Sequence, residues 1–155
     1  SKNGNLLLSI PVRGDGTIDE DEVAFLEGMA AWMRVHGEGI FGTRPWKVAG
    51  EGPARSAAGM FNEGRITYGA RDVRFTAKGD TLFAFLLGWP ADRRASITSL
   101  ASTSPLLDGR KVTEVSLLGN TGRIKWTQDP EGLVVQLPAT PPSEHAVALR
   151  IKGVL

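Results

Sequence analysis

The second half of the chain alternates short apolar runs with clusters of turn-forming residues, and this pattern constrains the fold more than any other feature. Val73 and Phe75 alternate with polar residues up to Lys78-Gly79-Asp80, a hairpin signal. The returning strand is the run 82–87, and the later candidates are 96–100, 112–118, 123–127, 133–137 and 146–154. Short strands at this spacing, with no helical period between them, predict an antiparallel β-sandwich.

The first segment has a different pattern. Residues 5–10 are a short, continuous apolar run that Pro11 ends, which predicts a strand buried on both faces. A glycine-containing loop at 13–16 follows, and Asp19 with Glu22 forms a capping-box-like start of a helix. One β/α unit cannot cover both sides of its own strand. The missing partners of this strand are therefore expected upstream.

The helix pattern itself predicts one broad buried face. Its apolar residues recur at steps of three and four, and Gly37 supplies a stop signal. The face consists of Val23, Phe25, Leu26, Met29, Ala30, Trp32 and Met33.

Composition excludes several classes of function. The 155 residues contain 18 Lys plus Arg and 17 Asp plus Glu, so the net charge of +1 gives no overall field to hold nucleic acid. No apolar run approaches the roughly 20 residues of a membrane helix. The chain has no cysteine, and His36 and His145 are isolated in the sequence. We therefore expect no metal site, no cofactor, no nucleic acid and no membrane partner.

Motifs that follow one another over nearly the whole chain carry a resemblance to an enzyme family. They read NGNLLL at 3–8, GDGTI at 14–18, GEGIFGTRPW at 37–46, RFT at 74–76, GDT at 79–81, LGWP at 87–90, VSLLG at 115–119 and IKW at 124–126. In this order the chain resembles the end of the catalytic domain of α-L-fucosidases, glycoside hydrolase family 29, followed by their C-terminal sandwich.

The resemblance implies a mainly β fold, in which the last β/α unit of a (β/α)8-type barrel precedes an antiparallel β-sandwich. Residues 1–48 would be the last strand and helix of the barrel, 49–70 a linker loop and 71–155 the sandwich domain. The parent protein would be a retaining hydrolase that removes terminal α-L-fucose from glycans. Its barrel and a fucosylated glycan would be the partners, in a secreted, periplasmic or lysosomal setting.

The same resemblance places both catalytic carboxylates upstream, so no catalytic residue is predicted here and the fragment alone should be inactive. Arg13 and Asp15 follow the predicted last barrel strand, where loops surround the active site, and are candidate substrate contacts. The simpler alternative is that Asp15 shapes the turn. Trp46 and Trp89 are predicted to join helix and sandwich, because large aromatic residues most often supply buried area.

Two other classes of protein stay open at this point. A free-standing carbohydrate-binding sandwich would use exposed aromatic residues, but it has no need of residues 5–46. An accessory domain of another barrel glycosidase would keep the architecture and change the sugar. The extent of the reading frame upstream of Ser1 separates these alternatives.

Overall fold

The computed structural model describes residues 1–54 and 66–155. It contains one α-helix, α1, and eight strands, β1–β8, among these residues, with single 3₁₀ turns at Gly37–Gly39, Thr98–Leu100 and Pro105–Leu107. The bounds are α1 Glu20–His36, β1 Arg44–Glu51, β2 Val73–Lys78, β3 Thr81–Leu86, β4 Arg94–Ile97, β5 Glu114–Leu117, β6 Lys125–Gln128, β7 Leu133–Gln136 and β8 Val147–Lys152.

The strands form two antiparallel sheets. The larger sheet has the order β1-β2-β3-β8-β5 and the smaller sheet has the order β4-β7-β6. The predicted hairpin joins β2 to β3, with Lys78 opposite Thr81 and with Gly79 at φ 59°, a left-handed value that glycine adopts at low cost. The predicted antiparallel sandwich is confirmed.

The main core lies between the sheets and follows the two-residue period of the strands. Leu82, Ala84 and Leu86 of β3 point into it, together with buried apolar residues of β1, β2, β4, β5, β7 and β8. Strand β6 contributes the half-buried Trp126, which packs against this core. Phe83 and Phe85 point to the opposite face, yet both are buried. The C-terminal end of α1 covers this outer face of β3.

Helix α1 begins and ends where the sequence predicts. Asp19 is the N-cap, and its Oδ1 accepts a hydrogen bond from Glu22 N at 3.0 Å. Gly37 follows the last helical residue, and its N–H bonds to Met33 O. Local capping chemistry thus sets both helix ends.

The expected burial of one broad face of α1 is only partly found. Trp32 and Met33, near the C-terminal end, are half-buried. Val23, Phe25 and Met29 are 40%, 51% and 36% exposed. The helix touches the sandwich only at its last turns, so the remaining apolar face has no covering element among the described residues.

Residues 5–10 form no strand in this structure, contrary to the expectation for this segment. Leu6 is 81% exposed and Leu7 is 96% exposed. A strand buried on both faces needs neighbouring strands for its hydrogen bonds, and the described residues supply none here. Residues 5–10 thus have the sequence of a buried strand but no neighbouring strand to pair with among the described residues.

Strand β1 crosses the predicted boundary at residue 48. It pairs with β2, and its register shifts between Pro45 and Gly50. Proline has no N–H to donate to a neighbouring strand, and glycine often marks a bulge. These two residues therefore interrupt the strand pattern of the sequence, and the segment resembles a loop. Residues 55–65 of the predicted linker lie outside the described residues. The division at 48 and 70 stays a prediction.

Candidate functional site

The loop before α1 brings the two candidate substrate contacts, Arg13 and Asp15, into one tight turn. Asp15 Oδ1 accepts hydrogen bonds from Thr17 N at 3.0 Å and Thr17 Oγ1 at 2.7 Å. These bonds lower the pKa of the Asp15 carboxyl. Arg13 closes the turn by donating from its backbone N–H to Thr17 O at 2.8 Å. Both residues are exposed, and Asp15 shapes the turn, as the simpler alternative required.

The acidic residues at 19–22 have a structural role in the described geometry. Asp19 caps α1, and Glu20, Asp21 and Glu22 occupy its first turn. Negative charge at this position meets the positive end of the helix dipole. In the described ranges, no group of three or more His, Cys, Asp or Glu residues could hold a metal ion.

The best-defined polar contact between α1 and the sandwich is made by Trp32. Its Nε1 donates a hydrogen bond to Ala146 O at 2.6 Å, immediately before β8. The indole lies 4.9 Å from the His36 ring and 6.1 Å from the Phe85 ring, measured between centroids. Trp32 therefore joins helix, sheet and the loop before β8.

His36 is the one fully buried residue of α1. Its exposed fraction is 0%, and its Nε2 lies 3.3 Å from Ser143 Oγ. Nδ1 has no hydrogen-bond partner among the described residues. Burial lowers the pKa of His36, because the charged form loses its hydration. The burial of the ring and its contact with Ser143 give His36 a structural role.

Close backbone approaches complete this junction, and the sequence analysis missed them. Thr76 Oγ1 donates a buried hydrogen bond to Gly39 O at 2.6 Å. A Cβ at Gly39 would lie 2.7 Å from Phe85 Cζ and 3.1 Å from Phe83 Cδ1. A side chain at this position would force the two buried Phe rings to move. The glycines of the motif at 37–39 are the sequence feature that could have indicated this close approach.

Trp46 does not join helix and sandwich, which corrects the prediction for this residue. It is 8% exposed, belongs to the core between the sheets and packs edge-on against Phe75 at 5.0 Å. The side-chain alternation of β1 turns the indole inward, so its area is buried within the sandwich. Trp89 is half-buried against the same core. Contact with the helix passes through Trp32 and His36 instead.

Asp72 is a buried carboxylate that the sequence analysis did not single out. Its Oδ1 accepts a hydrogen bond from Ala54 N at 2.9 Å and its Oδ2 accepts one from Gly69 N at 2.8 Å. The hydrogen bond from Gly69 is the main cause of a lowered pKa, with Arg74 and Arg71 adding favourable charge. The Asp72 carboxylate therefore links residues 54 and 69 through hydrogen bonds, and this is a structural role.

Family models match both segments of the chain. The model described as the α-L-fucosidase C-terminal domain matches residues 68–152, more than half of the chain, and the model described as α-L-fucosidase matches residues 1–38. The chain belongs to the α-L-fucosidase family. The predicted family and the predicted mainly β fold class, a barrel end followed by a sandwich, are confirmed.

Individual relatives agree with this assignment and show how much of an α-L-fucosidase is present. The human tissue α-L-fucosidase is 31% identical over 99% of this chain and 29% of its own length. The α-L-fucosidase of Branchiostoma floridae is 29% identical over 100% of this chain and 30% of its own length. The crystal structure of the Thermotoga maritima α-fucosidase with a mechanism-based inhibitor matches with TM-score 0.70 and 25% identity, over 97% of this chain and 31% of that one. The chain thus spans about three tenths of the length of these relatives.

Proposed function

We propose that the parent protein is a retaining α-L-fucosidase that hydrolyses terminal α-L-fucose from glycans, and that this segment closes its barrel and braces it with the sandwich. The observation that carries the proposal is the order of the two family matches, 1–38 and then 68–152, on a chain whose α1 packs against the sandwich. The catalytic carboxylates belong to the part of an α-L-fucosidase that precedes this segment.

The apolar surface of the first segment supports the closing role. Leu6 and Leu7 are almost fully exposed, and Phe25 of α1 is 51% exposed. Large contiguous apolar surface on a folded protein usually marks an interaction site. In the parent, residues 5–10 would gain neighbouring strands and the open face of α1 would pack against the adjacent barrel helices.

The contacts of the last turns of α1 support the bracing role. Trp32 holds the loop before β8, and Gly39 packs directly on Phe83 and Phe85. A helix held at one end by a rigid sandwich also holds the loop at its other end. That loop contains Arg13 and Asp15, which we propose border the sugar, since barrel loops of this kind surround the active site.

The reaction proposed for the parent needs two carboxyl groups about 5 Å apart, one as nucleophile and one as acid and then base. Asp19 is occupied as a helix cap and Asp72 as a structural acceptor in the described residues. This segment would therefore hold the barrel in position and would not transfer protons.

Its relatives are named tissue and plasma α-L-fucosidases, which supports a lysosomal or secreted parent. The described part of the chain has no helix that is long and apolar enough to cross a bilayer.

The test is turnover of an aryl α-L-fucoside by the 155-residue chain and by the full-length parent, purified in the same way. We expect release of the aryl group by the parent only. Turnover by the short chain above a mock-purified blank would contradict the upstream position of the carboxylates. A parent that binds glycans without turnover would favour a carbohydrate-binding module instead.

A further inference from the structure

The sandwich has an open side where the edge strands of its two sheets face each other. β5 is the last strand of the larger sheet and β6 is the last strand of the smaller one. A groove of about 600 Å³ lies between them, lined on its polar side by Thr113, Glu114, Ser116, Asn120, Thr121 and Arg123. We propose that this groove is a second carbohydrate site, which binds a neutral saccharide against Trp126.

Trp126 differs from Trp32 and Trp46 in the surroundings of its indole N–H. Trp32 donates its Nε1 hydrogen to Ala146 O, and the buried Nε1 of Trp46 has no partner in the ranges 1–54 and 66–155. Trp126 is half-buried, its Nε1 makes no hydrogen bond among the described residues, and that atom is not one of the buried unsatisfied ones. Its indole N–H is therefore not sealed inside the core. An indole with one apolar side in the core and a free N–H suits an amphipathic ligand.

The polar side of the groove offers groups that the described part of the chain does not use. The hydroxyls of Thr113 and Thr121 make no intramolecular hydrogen bond within it, and neither does the Arg123 guanidinium. Ser116 alternates with the core residues Val115 and Leu117, so its side chain points to the outer face of β5. Asn120 donates from Nδ2 to Gly122 O at 2.7 Å, so its amide is held in place while its Oδ1 stays available as an acceptor. One amide held in place, together with exposed hydroxyls and a guanidinium near an indole, supplies the donors and acceptors that a small-molecule site uses.

This chemistry matches a neutral saccharide better than other ligands. A pyranose presents a C–H face to an indole and hydroxyls, both donors and acceptors, to amide and hydroxyl groups. Glu114 lies 3.8 Å from Lys152 Nζ, so these two charges offset each other and Arg123 is the one remaining charge of the groove lining. A single cation is far less than the basic patch that holds a polyanion. A peptide strand would need a longer edge than β5 and β6 offer, at four residues each.

The proposed site is independent of the catalytic proposal. Its lining residues all belong to 113–126, within the sandwich, and none belongs to α1 or to the loop at 13–17. Binding can therefore be measured on the 155-residue chain without the parent enzyme. A failure of turnover by the parent would leave this proposal unaffected, and a failure of binding would leave the hydrolase proposal unaffected.

The experiment is an NMR titration of the ¹⁵N-labelled chain with two neutral probes, methyl α-L-fucoside and lactose, up to high millimolar concentration. We expect saturable shifts of the amides at 120–124 and of the Trp126 indole N–H with at least one probe. Trp126→Phe keeps an aromatic ring and removes the N–H, and Arg123→Ala removes the charged donor. Each change should weaken binding by about tenfold.

The control variants are Trp89→Phe and Arg71→Ala, which change the same residue types outside the groove. They should bind as the unchanged chain does, and a native-like amide spectrum for every variant shows that it is folded. The absence of shifts in the groove with both probes would overturn the proposal. Equal affinity in the Trp126 variant, or shifts produced by a short peptide or a heparin disaccharide and not by the neutral probes, would overturn it too.

Discussion

At the scale of single residues, His36 shows how position in the fold overrides position in a helix. A histidine in a last helical turn is well placed to interact as a cation with the helix dipole. Here the ring is fully buried beside Trp32, and its burial lowers its pKa. Burial therefore opposes the charged form of this ring, although the helix end would favour it.

The lowered pKa of His36 predicts a dependence of stability on acid pH. The unfolded chain binds the proton more readily than the folded chain, so the free energy of unfolding should decrease as the pH falls below about 6.5, the usual pKa of histidine. Replacing His36 by Gln should make denaturant unfolding less dependent on pH between about pH 7 and pH 5. His145→Gln is the matched control, because His145 is exposed. An unchanged slope in His36→Gln would contradict the role given to this residue.

Trp46 gives a second prediction at the residue scale. Its indole fills the core between the sheets, so Trp46→Ala should reduce the free energy of unfolding by about 3–5 kcal/mol. In the parent, the thermal midpoint should fall by several degrees while fucoside affinity changes little. Loss of glycan binding with an unchanged midpoint would instead indicate an exposed stacking surface.

At the scale of elements, the sequence predicts best what is locally determined. The hairpin between β2 and β3 follows from strand alternation around Gly79, and the start of α1 follows from the Asp19 cap. β1 was missed because Pro45 and Gly50 accompany a register shift. The contact of Trp32 with Ala146 links residues 114 positions apart, and no local pattern indicates it.

The junction between α1 and the sheet can be tested with a pair of glycine substitutions. Gly39→Ala should destabilise the chain, because the new Cβ would lie 2.7 Å from Phe85 Cζ. Gly28→Ala is the control, since nothing lies within 4 Å of its Cβ position, and it should stabilise α1 by about 0.5–1 kcal/mol. The two variants should shift the unfolding midpoint in opposite directions. Equal shifts would mean that the Gly39 packing carries no special weight.

At the scale of the whole molecule, the chain consists of a sandwich with its own core and a first segment whose apolar surface is largely uncovered. The sandwich could be predicted from sequence because its strands are each other's partners. The state of residues 5–10 could not, since a central parallel strand depends on neighbours that this segment lacks. The active-site role of Arg13 and Asp15 depends on the same missing neighbours and stays a prediction.

Amide hydrogen exchange on the short chain and on the full-length parent tests the central claim most directly, because elements without partners open at low free-energy cost. In the 155-residue chain, we predict fast exchange at residues 5–10 and slow exchange at Thr81–Leu86, which lies between β2 and β8. In the parent, residues 5–10 should become as protected as β3, while β3 itself changes little. Fast exchange of residues 5–10 in both proteins would contradict the claim that this segment closes a barrel.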